Sequence, residues 1–284
     1  MQEIADKTFI ETSYPGVTLG AIYWSHGLIL LDAPFRAEDS RAWRSSLLNL
    51  GGGVDRLLIN LDAHYDRTLG VRSMDCTVIG HEQQADIFRN RPVTFKSQNI
   101  DTGADWEQYN GLGSIRWAPP DITFSKRMVI HWDEKSIVLE HRPGSSPGAT
   151  WVSIPAHKLV FVGDAVVINQ PPFLAYSDLS DWLTCLQSLL EPEFIDYTII
   201  SGRGGIATHH DLLHTIDFLK KTQQLLEIVG AHITPTQMDD LVVELLSGIE
   251  VPVQRRLQYE QRLRYGLSHY FDRRSREDKT ELID

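Results

Sequence analysis

The sequence predicts an α/β protein with layered strands and helices, and two patterns of apolar residues carry this prediction. Between residues 27 and 61, a β-rich run, a stretch with helical spacing and a second β-rich run follow one another. From residue 178 onward helical spacing dominates, interrupted by a short apolar run at 197–200. Strands that alternate with helices along a chain are typical of α/β folds.

The first half of the chain reads as strands with two helices. Residues 17–23 and 27–32 are β-rich runs around a polar break, which predicts a hairpin. Residues 38–50 have helical spacing, and the three glycines at 51–53 predict the end of that helix. The other elements predicted here are strands at 54–61 and 77–80 and a helix at 82–89.

Residues 91–120 are irregular, with turn signals at Pro92 and at Pro119–Pro120, and are interpreted as an insertion or as a cover over a site. The second half is then predicted to become mostly helical. The elements expected after the irregular segment are two strands within 124–140, a hairpin at 151–154 and 159–162, a strand at 197–200, and helices at 178–190, 209–229, from Thr234–Pro235 onward and at 252–273. We expect one main domain over residues 1–230 and a helical C-terminal extension, 231–284, packed on it.

Composition excludes several classes of function. The chain has 284 residues with 42% hydrophobic and 23% charged residues, an ordinary globular composition. A net charge of −11 disfavours nucleic-acid binding, because a phosphate backbone selects cationic surfaces. No apolar run is long enough to span a bilayer, and the N-terminus does not resemble a signal peptide, so we expect a cytoplasmic protein that binds neither membranes nor nucleic acid. Two distant cysteines, Cys76 and Cys185, predict no disulfide framework.

The most informative segment follows the apolar run at 57–61. Asp62, His64 and Asp66 occupy alternating positions there, and side chains two residues apart in extended chain share a face. Three groups that can bind metal therefore converge at the end of a predicted strand.

This segment, written Asp-x-His-x-Asp-Arg over residues 62–67, resembles the His-x-His-x-Asp-His signature of the metallo-β-lactamase superfamily. Two later landmarks are similar to that family as well. One is the turn 141–148 with Ser145, followed by a strand that ends at Gly163-Asp164, and the other is Ser201-Gly202-Arg203-Gly204. The resemblance implies an α/β fold, an αββα sandwich with a helical C-terminal extension.

Carried over residue by residue, the resemblance implies an altered metal centre. His64, Asp66 and Asp164 match ligand positions of the family. The remaining four ligand positions are changed, because histidine is replaced at Asp62, Arg67, Ser145 and Arg203. Arginine is cationic and has no lone pair to offer a metal, so at most one divalent ion, Zn²⁺, Mn²⁺ or Fe²⁺, or none, is expected.

Two functions follow from this pattern. In the first, Asp62, His64 and Asp164 hold one metal, whose bound water hydrolyses an ester, thioester, lactone or phosphoester. Asp66 is then the general base, and Arg67 or Arg203 stabilises the oxyanion.

Ser145 and Tyr65 are the candidates for contact with the substrate, and for Tyr65 the alternative is packing in the core. In the second function, the same aspartates and arginines form a metal-free network, and the protein binds an anionic ligand or a protein partner. The C-terminal helices, 234–273, would then offer a partner or homodimer surface.

Overall fold

The computed structural model describes residues 1–50, 55–96, 101–110, 112–133, 135–230 and 233–281. Its strands are β1 Gln2–Ala5, β2 Thr8–Glu11, β3 Leu19–Trp24, β4 Gly27–Leu31, β5 Asp55–Ile59, β6 Thr77–His81, β7 Thr94–Lys96, β8 Ser114–Arg116, β9 Ile122–Phe124, β10 Arg127–His131, β11 Ser136–His141, β12 Thr150–Ile154, β13 Leu159–Gly163, β14 Thr198–Ser201 and β15 Gly205–Ala207. Its helices are α1 Ala37–Leu48, α2 Tyr65–Thr68, α3 Glu82–Asn90, α4 Leu179–Ser188, α5 His209–Val229, α6 Pro235–Leu246 and α7 Arg256–Glu281.

Two sheets form the centre of the fold. The first has the strand order β1-β2-β3-β4-β5-β6-β9, antiparallel up to β4 and parallel from β4 to β9. The second has the order β10-β11-β12-β13-β14-β15, with one parallel pair, β13 and β14. Both parallel regions bring the carboxyl ends of neighbouring strands to one edge, where side chains from separate segments can meet.

Buried residues fill the spaces between the layers. Ile29 and Ile59 of the first sheet and Val152 and Phe161 of the second share one apolar core between the sheets. Trp43 of α1 packs on the outer face of the first sheet. On the outer face of the second sheet, the helices α4 to α7 contribute to a single core. The molecule is therefore the four-layer αββα sandwich that the sequence predicts, with additional helices at the C-terminal end.

Most predicted elements are present with boundaries shifted by a few residues. The hairpin at 17–32, the hairpin at 151–162 and the helix at 209–229 are confirmed. Thr234 caps α6 through a hydrogen bond from the Gln237 N–H, as the Thr–Pro signal indicates. The glycines predicted to end α1 lie outside the described residues.

The sequence interpretation missed four short strands at the margins, β1, β2, β9 and β15. Each has three or four residues, too few for alternation to be distinctive. The segment predicted to be irregular also contains a small separate sheet of β7 and β8. No described helix combines the length and the apolar character that crossing a bilayer requires.

Candidate functional site

Four side chains of the site project from the ends of four strands. Asp32 follows β4, Asp62 lies shortly after β5, Asp164 follows β13, and Arg203 lies shortly after β14. The first two belong to one sheet and the last two to the other, so the site is built where the sheets meet. All four residues are buried.

Arg67 is the centre of this arrangement. It lies on the single-turn helix α2 and is completely buried. Its Nη1 donates to Asp32 Oδ2 at 2.9 Å, its Nε lies 3.1 Å from Asp62 Oδ1, and its Nη2 donates to Asp164 Oδ1. One guanidinium group thus contacts three carboxylates through three different nitrogens, which is the planar donor pattern for which arginine is suited.

Arg203 forms a second, adjoining centre. Its Nε donates to Asp164 Oδ2 at 3.0 Å and its Nη1 to Asp66 Oδ2 at 2.8 Å. The Nη2 lies 3.1 Å from Nδ1 of His64. Asp164 therefore bridges the two guanidinium groups, one oxygen to each.

Burial and charge act in opposite directions on these groups. Burial alone raises the pKa of Asp164, but Arg203 and Arg67 outweigh it and hold its pKa well below the usual range. For Asp62 and Asp66, burial prevails over the arginines, and their pKa values are raised. Burial and Arg203 lower the pKa of His64 well below its ordinary value, so this ring is neutral near pH 7.

The segment between α3 and β9 closes over Asp66. The backbone N–H of Trp106 donates to Asp66 Oδ1 at 2.8 Å, and that of Asp105 donates to Oδ2 at 3.2 Å. The Asp105 side chain then meets three arginines: Arg203 at 3.4 Å, Arg262 at 3.6 Å, and Arg255, to which it is hydrogen-bonded. These cations overcome the effect of burial and lower the pKa of Asp105.

The donor set does not fit a metal ion. Arg67 contacts both Asp62 and Asp164, and Arg203 contacts both Asp164 and Asp66. The positive charges that face these carboxylates are therefore already part of the chain. In the part of the chain that the structure describes, no three His, Cys, Asp or Glu side chains are grouped so as to hold a metal.

Of the eight predicted site residues, six belong to the arginine–carboxylate network and two lie outside it. Six of them lie together in one network: Asp62, His64, Asp66, Arg67, Asp164 and Arg203. The two candidates for substrate contact lie elsewhere. Ser145 is buried in the loop between β11 and β12 and is not a partner of either arginine.

Tyr65 is directed into an aromatic cluster. Its ring stacks on Trp117 at 5.5 Å between centroids and packs edge-on against Trp106 at 5.9 Å, while Arg91 lies over it at 4.4 Å. Trp106 and Trp117, which the sequence placed in the irregular segment, thus pack with Tyr65 in a core under that segment.

Sequence reasoning missed four charged members of the network: Asp32, Asp105, Arg255 and Arg262. Asp32 was visible as a lone carboxylate after an apolar strand, a signal like the one at Asp62. Nothing around Asp105 distinguishes it from other acids of an irregular segment. Arg255 and Arg262 lie in the predicted helix at 252–273, where the spacing gives no reason to expect a buried arginine. In the structure Arg262 is buried, and its guanidinium lies 4.0 Å from the centre of the Phe173 ring.

Comparison with known proteins agrees with this architecture. The family model described as the metallo-β-lactamase superfamily matches residues 74–204. Over this region the chain is similar to the metallo-β-lactamase superfamily, and its fold is shared with solved metallo-β-lactamases. The matched region includes Asp164 and Arg203 and begins after the 62–67 segment. A search of curated proteins gave no match.

Several solved structures share the fold at low sequence identity. A metallo-β-lactamase from Pontibacter korlensis is 18% identical with a TM-score of 0.59, over 77% of this chain and 97% of that one. The metallo-β-lactamase DIM-1 is 14% identical with a TM-score of 0.59, over 78% and 96%. A double mutant of the sec-alkyl sulfatase PisA1 is 14% identical with a TM-score of 0.61, over 94% of this chain and 49% of that one.

Proposed function

We propose that this protein with the metallo-β-lactamase fold is metal-independent and binds a small anionic ligand, with an arginine–carboxylate network in place of a metal centre. The observation that carries the proposal is the contact of Arg67 with Asp32, Asp62 and Asp164 at once. A dication among these carboxylates would have to displace a completely buried guanidinium group. That displacement would leave the arginine uncompensated in the interior, which costs several kcal/mol.

The chemistry of Arg203 supports the same conclusion. The resemblance to the superfamily places this residue at a histidine position of the metal site, but its guanidinium donates to Asp66 and Asp164. Asp66, the expected general base, accepts three further contacts from Arg203, Asp105 N and Trp106 N. Both oxygens of this buried carboxylate are already occupied by donors, so neither is placed to take a proton from a water, and hydrolysis by a water that Asp66 activates is not favoured.

The test compares metal content with folding. Tag-free protein is analysed by inductively coupled plasma mass spectrometry after incubation with Zn²⁺, Mn²⁺ or Fe²⁺, and its Tm is measured with and without a chelator. We expect well below one equivalent of each metal and an unchanged Tm. About one equivalent of metal, lost in Asp62→Ala together with hydrolysis of an ester or phosphoester, would establish the single-metal hydrolase instead.

A matched pair of variants tests whether the network stabilises the fold in the absence of metal. Asp164→Asn removes the carboxylate that bridges both arginines, whereas Asp196→Asn removes an exposed partner of Lys158. We expect Asp164→Asn to lower the Tm in metal-free buffer and Asp196→Asn to leave it nearly unchanged. Equal Tm values for the two variants would contradict a structural role of the network.

A further inference from the structure

A cavity of about 370 Å³ adjoins the network on the side of Arg203. Its walls are formed by the loop between β2 and β3, by Arg203 and the glycine after it, and by Gln170. Two residues of the segment that closes over Asp66, Asp105 and Tyr109, complete them together with Arg255 and Tyr259 at and beside the start of α7. Its volume is near the lower end of the range for small-molecule sites, about 300–1,000 Å³, and suits a molecule of metabolite size.

The charge on this side of the network is unbalanced. Asp105, which lines the cavity, faces Arg203, Arg255 and Arg262. Arg203 is already paired with Asp66 and Asp164, so one carboxylate is left for the two guanidinium groups of Arg255 and Arg262. Arg203 is fully occupied by its other partners, and its side chain is only 1% exposed. The side chain of Arg255 is 41% exposed, so it is the cation that the cavity presents to a ligand.

Arg255 has N–H donors that these protein contacts leave available for a ligand. Its Nη1 donates to Asp105 and, at 2.8 Å, to Gln258 Oε1. The Nε and Nη2 are not used by these two contacts. Two N–H groups on one edge of a guanidinium match the two oxygens of a carboxylate or phosphate group.

Polar groups for the rest of a ligand line the same cavity. Tyr109 and Tyr259 both contribute to its walls, and only 6% of Tyr259 is exposed. Within the described ranges, neither hydroxyl hydrogen-bonds to another residue. Burial raises the pKa of Tyr259, which keeps its hydroxyl protonated and able to donate.

We propose that this cavity is an oxyanion site, in which the free edge of Arg255 binds the carboxylate or phosphate group of a small molecule and the tyrosine hydroxyls bind its other polar atoms. This inference rests on the proposed function, because it locates the anionic ligand of the metal-free protein. The recognition group comes from the C-terminal helical part of the chain, so ligand binding joins that part to the sandwich.

The experiment uses inorganic phosphate and citrate as probes, with sodium chloride added to equalise ionic strength, and measures the Tm of the full chain across a concentration series. The test variant is Arg255→Gln and the matched control is the neighbouring Arg256→Gln. Arg256 pairs with Glu260 on the exposed side of α7. Arg255→Gln should fold, because Asp105 keeps two other arginines.

We expect at least one probe to raise the Tm of the wild type in a saturable manner. The concentration required should rise by about tenfold in Arg255→Gln, the loss of one charge-assisted contact, and stay unchanged in Arg256→Gln. Tyr259→Phe tests the hydroxyl separately. This variant should keep the wild-type Tm without probe, and the probe concentration that it requires should rise by less than in Arg255→Gln. No saturable effect of either probe, or equal responses of the two arginine variants, would overturn the proposal.

The metal analysis of the same preparation separates the two proposals. An Arg255-dependent anion effect in a protein that also holds a full equivalent of metal would contradict metal independence and leave the oxyanion site standing. A metal-free protein without an anion effect would contradict the site alone.

Discussion

Replacing Arg67 by methionine isolates the cation on which the network depends. Methionine has a similar length and no charge, so Asp32 and Asp62 would lose their arginine while Asp164 keeps Arg203 at 3.0 Å. Some hydrogen bonds persist, since Asp62 still accepts from His64 N at 2.7 Å and Asp32 from Leu61 N at 2.9 Å.

Removal of one partner from a buried ion pair costs about 3–5 kcal/mol. Typical domains are stable by about 5–15 kcal/mol, so the variant would lose a large part of its stability. For a chain of this size, each kcal/mol lowers the Tm by about 2–4 °C, which gives a fall of roughly 10 °C for Arg67→Met.

The stability lost in Arg67→Met should also depend on pH. Burial raises the pKa of Asp32 to about 7 even beside Arg67, and removal of the cation raises it further. A carboxyl group whose folded pKa exceeds its unfolded value is more stabilising when protonated, so stability recovers as the pH falls through the folded pKa. The Tm difference between Arg67→Met and the wild type should therefore be larger at pH 8 than at pH 5.

The assay is thermal unfolding followed by circular dichroism, with Arg264→Met as the control. Arg264 forms an exposed pair with Asp239, and such pairs contribute about 0–1 kcal/mol. If Arg67→Met unfolds within about 2 °C of Arg264→Met at pH 8, the reasoning about buried charge is wrong.

Three further predictions concern neighbouring features. Gly202→Ala would place a Cβ 2.9 Å from both terminal nitrogens of Arg67 and should lower the free energy of unfolding, measured in urea, by about 1–3 kcal/mol. Gly248→Ala, whose Cβ would meet only the Leu245 carbonyl oxygen at 3.9 Å, should lower it by less. Burial and His81 lower the pKa of His141 to about 4, so the folded state leaves this ring neutral while the unfolded chain binds a proton below about 6.5. Stability should therefore fall between pH 6.5 and 4, and a Tm series in His141→Asn should show a shallower fall. Asp105→Asn removes a carboxylate that competes for Arg255 and should tighten phosphate binding by roughly fivefold in a titration, and weaker binding would contradict the proposed charge balance.

The fold was largely predictable because its signals are local. Residues 17–32 contain both strands and the break of a hairpin, and the Thr234–Pro235 pair marks a helix start by its own chemistry. The spacing alone brings Asp62 and Asp66 together, but their grouping with Asp164 and Arg203 was accessible only through the resemblance, which linked segments far apart in sequence.

The remaining members of the site could not be predicted, because their roles depend on tertiary contacts. Asp105 lies in an irregular segment and contacts Arg255, 150 residues later. No periodic pattern in the sequence indicates such a contact. Tyr65 illustrates a different difficulty. Its position inside the motif is compatible both with a ligand contact and with the core, and in the structure its ring lies in an aromatic cluster with Phe95, Trp106 and Trp117.

The bridging position of Asp164 between Arg67 and Arg203 has a consequence for how the molecule is completed in the cell. Arg67 comes from the first sheet's half of the sandwich and Arg203 from the second, and a single carboxylate joins them. In the metal-independent protein that we propose, a centre assembled only from side chains is finished when the chain has folded, with no loading step, no delivery protein and no competition between ions. Its assembly would then be independent of the supply of transition metals and would depend only on both halves of the sandwich being synthesised and brought together.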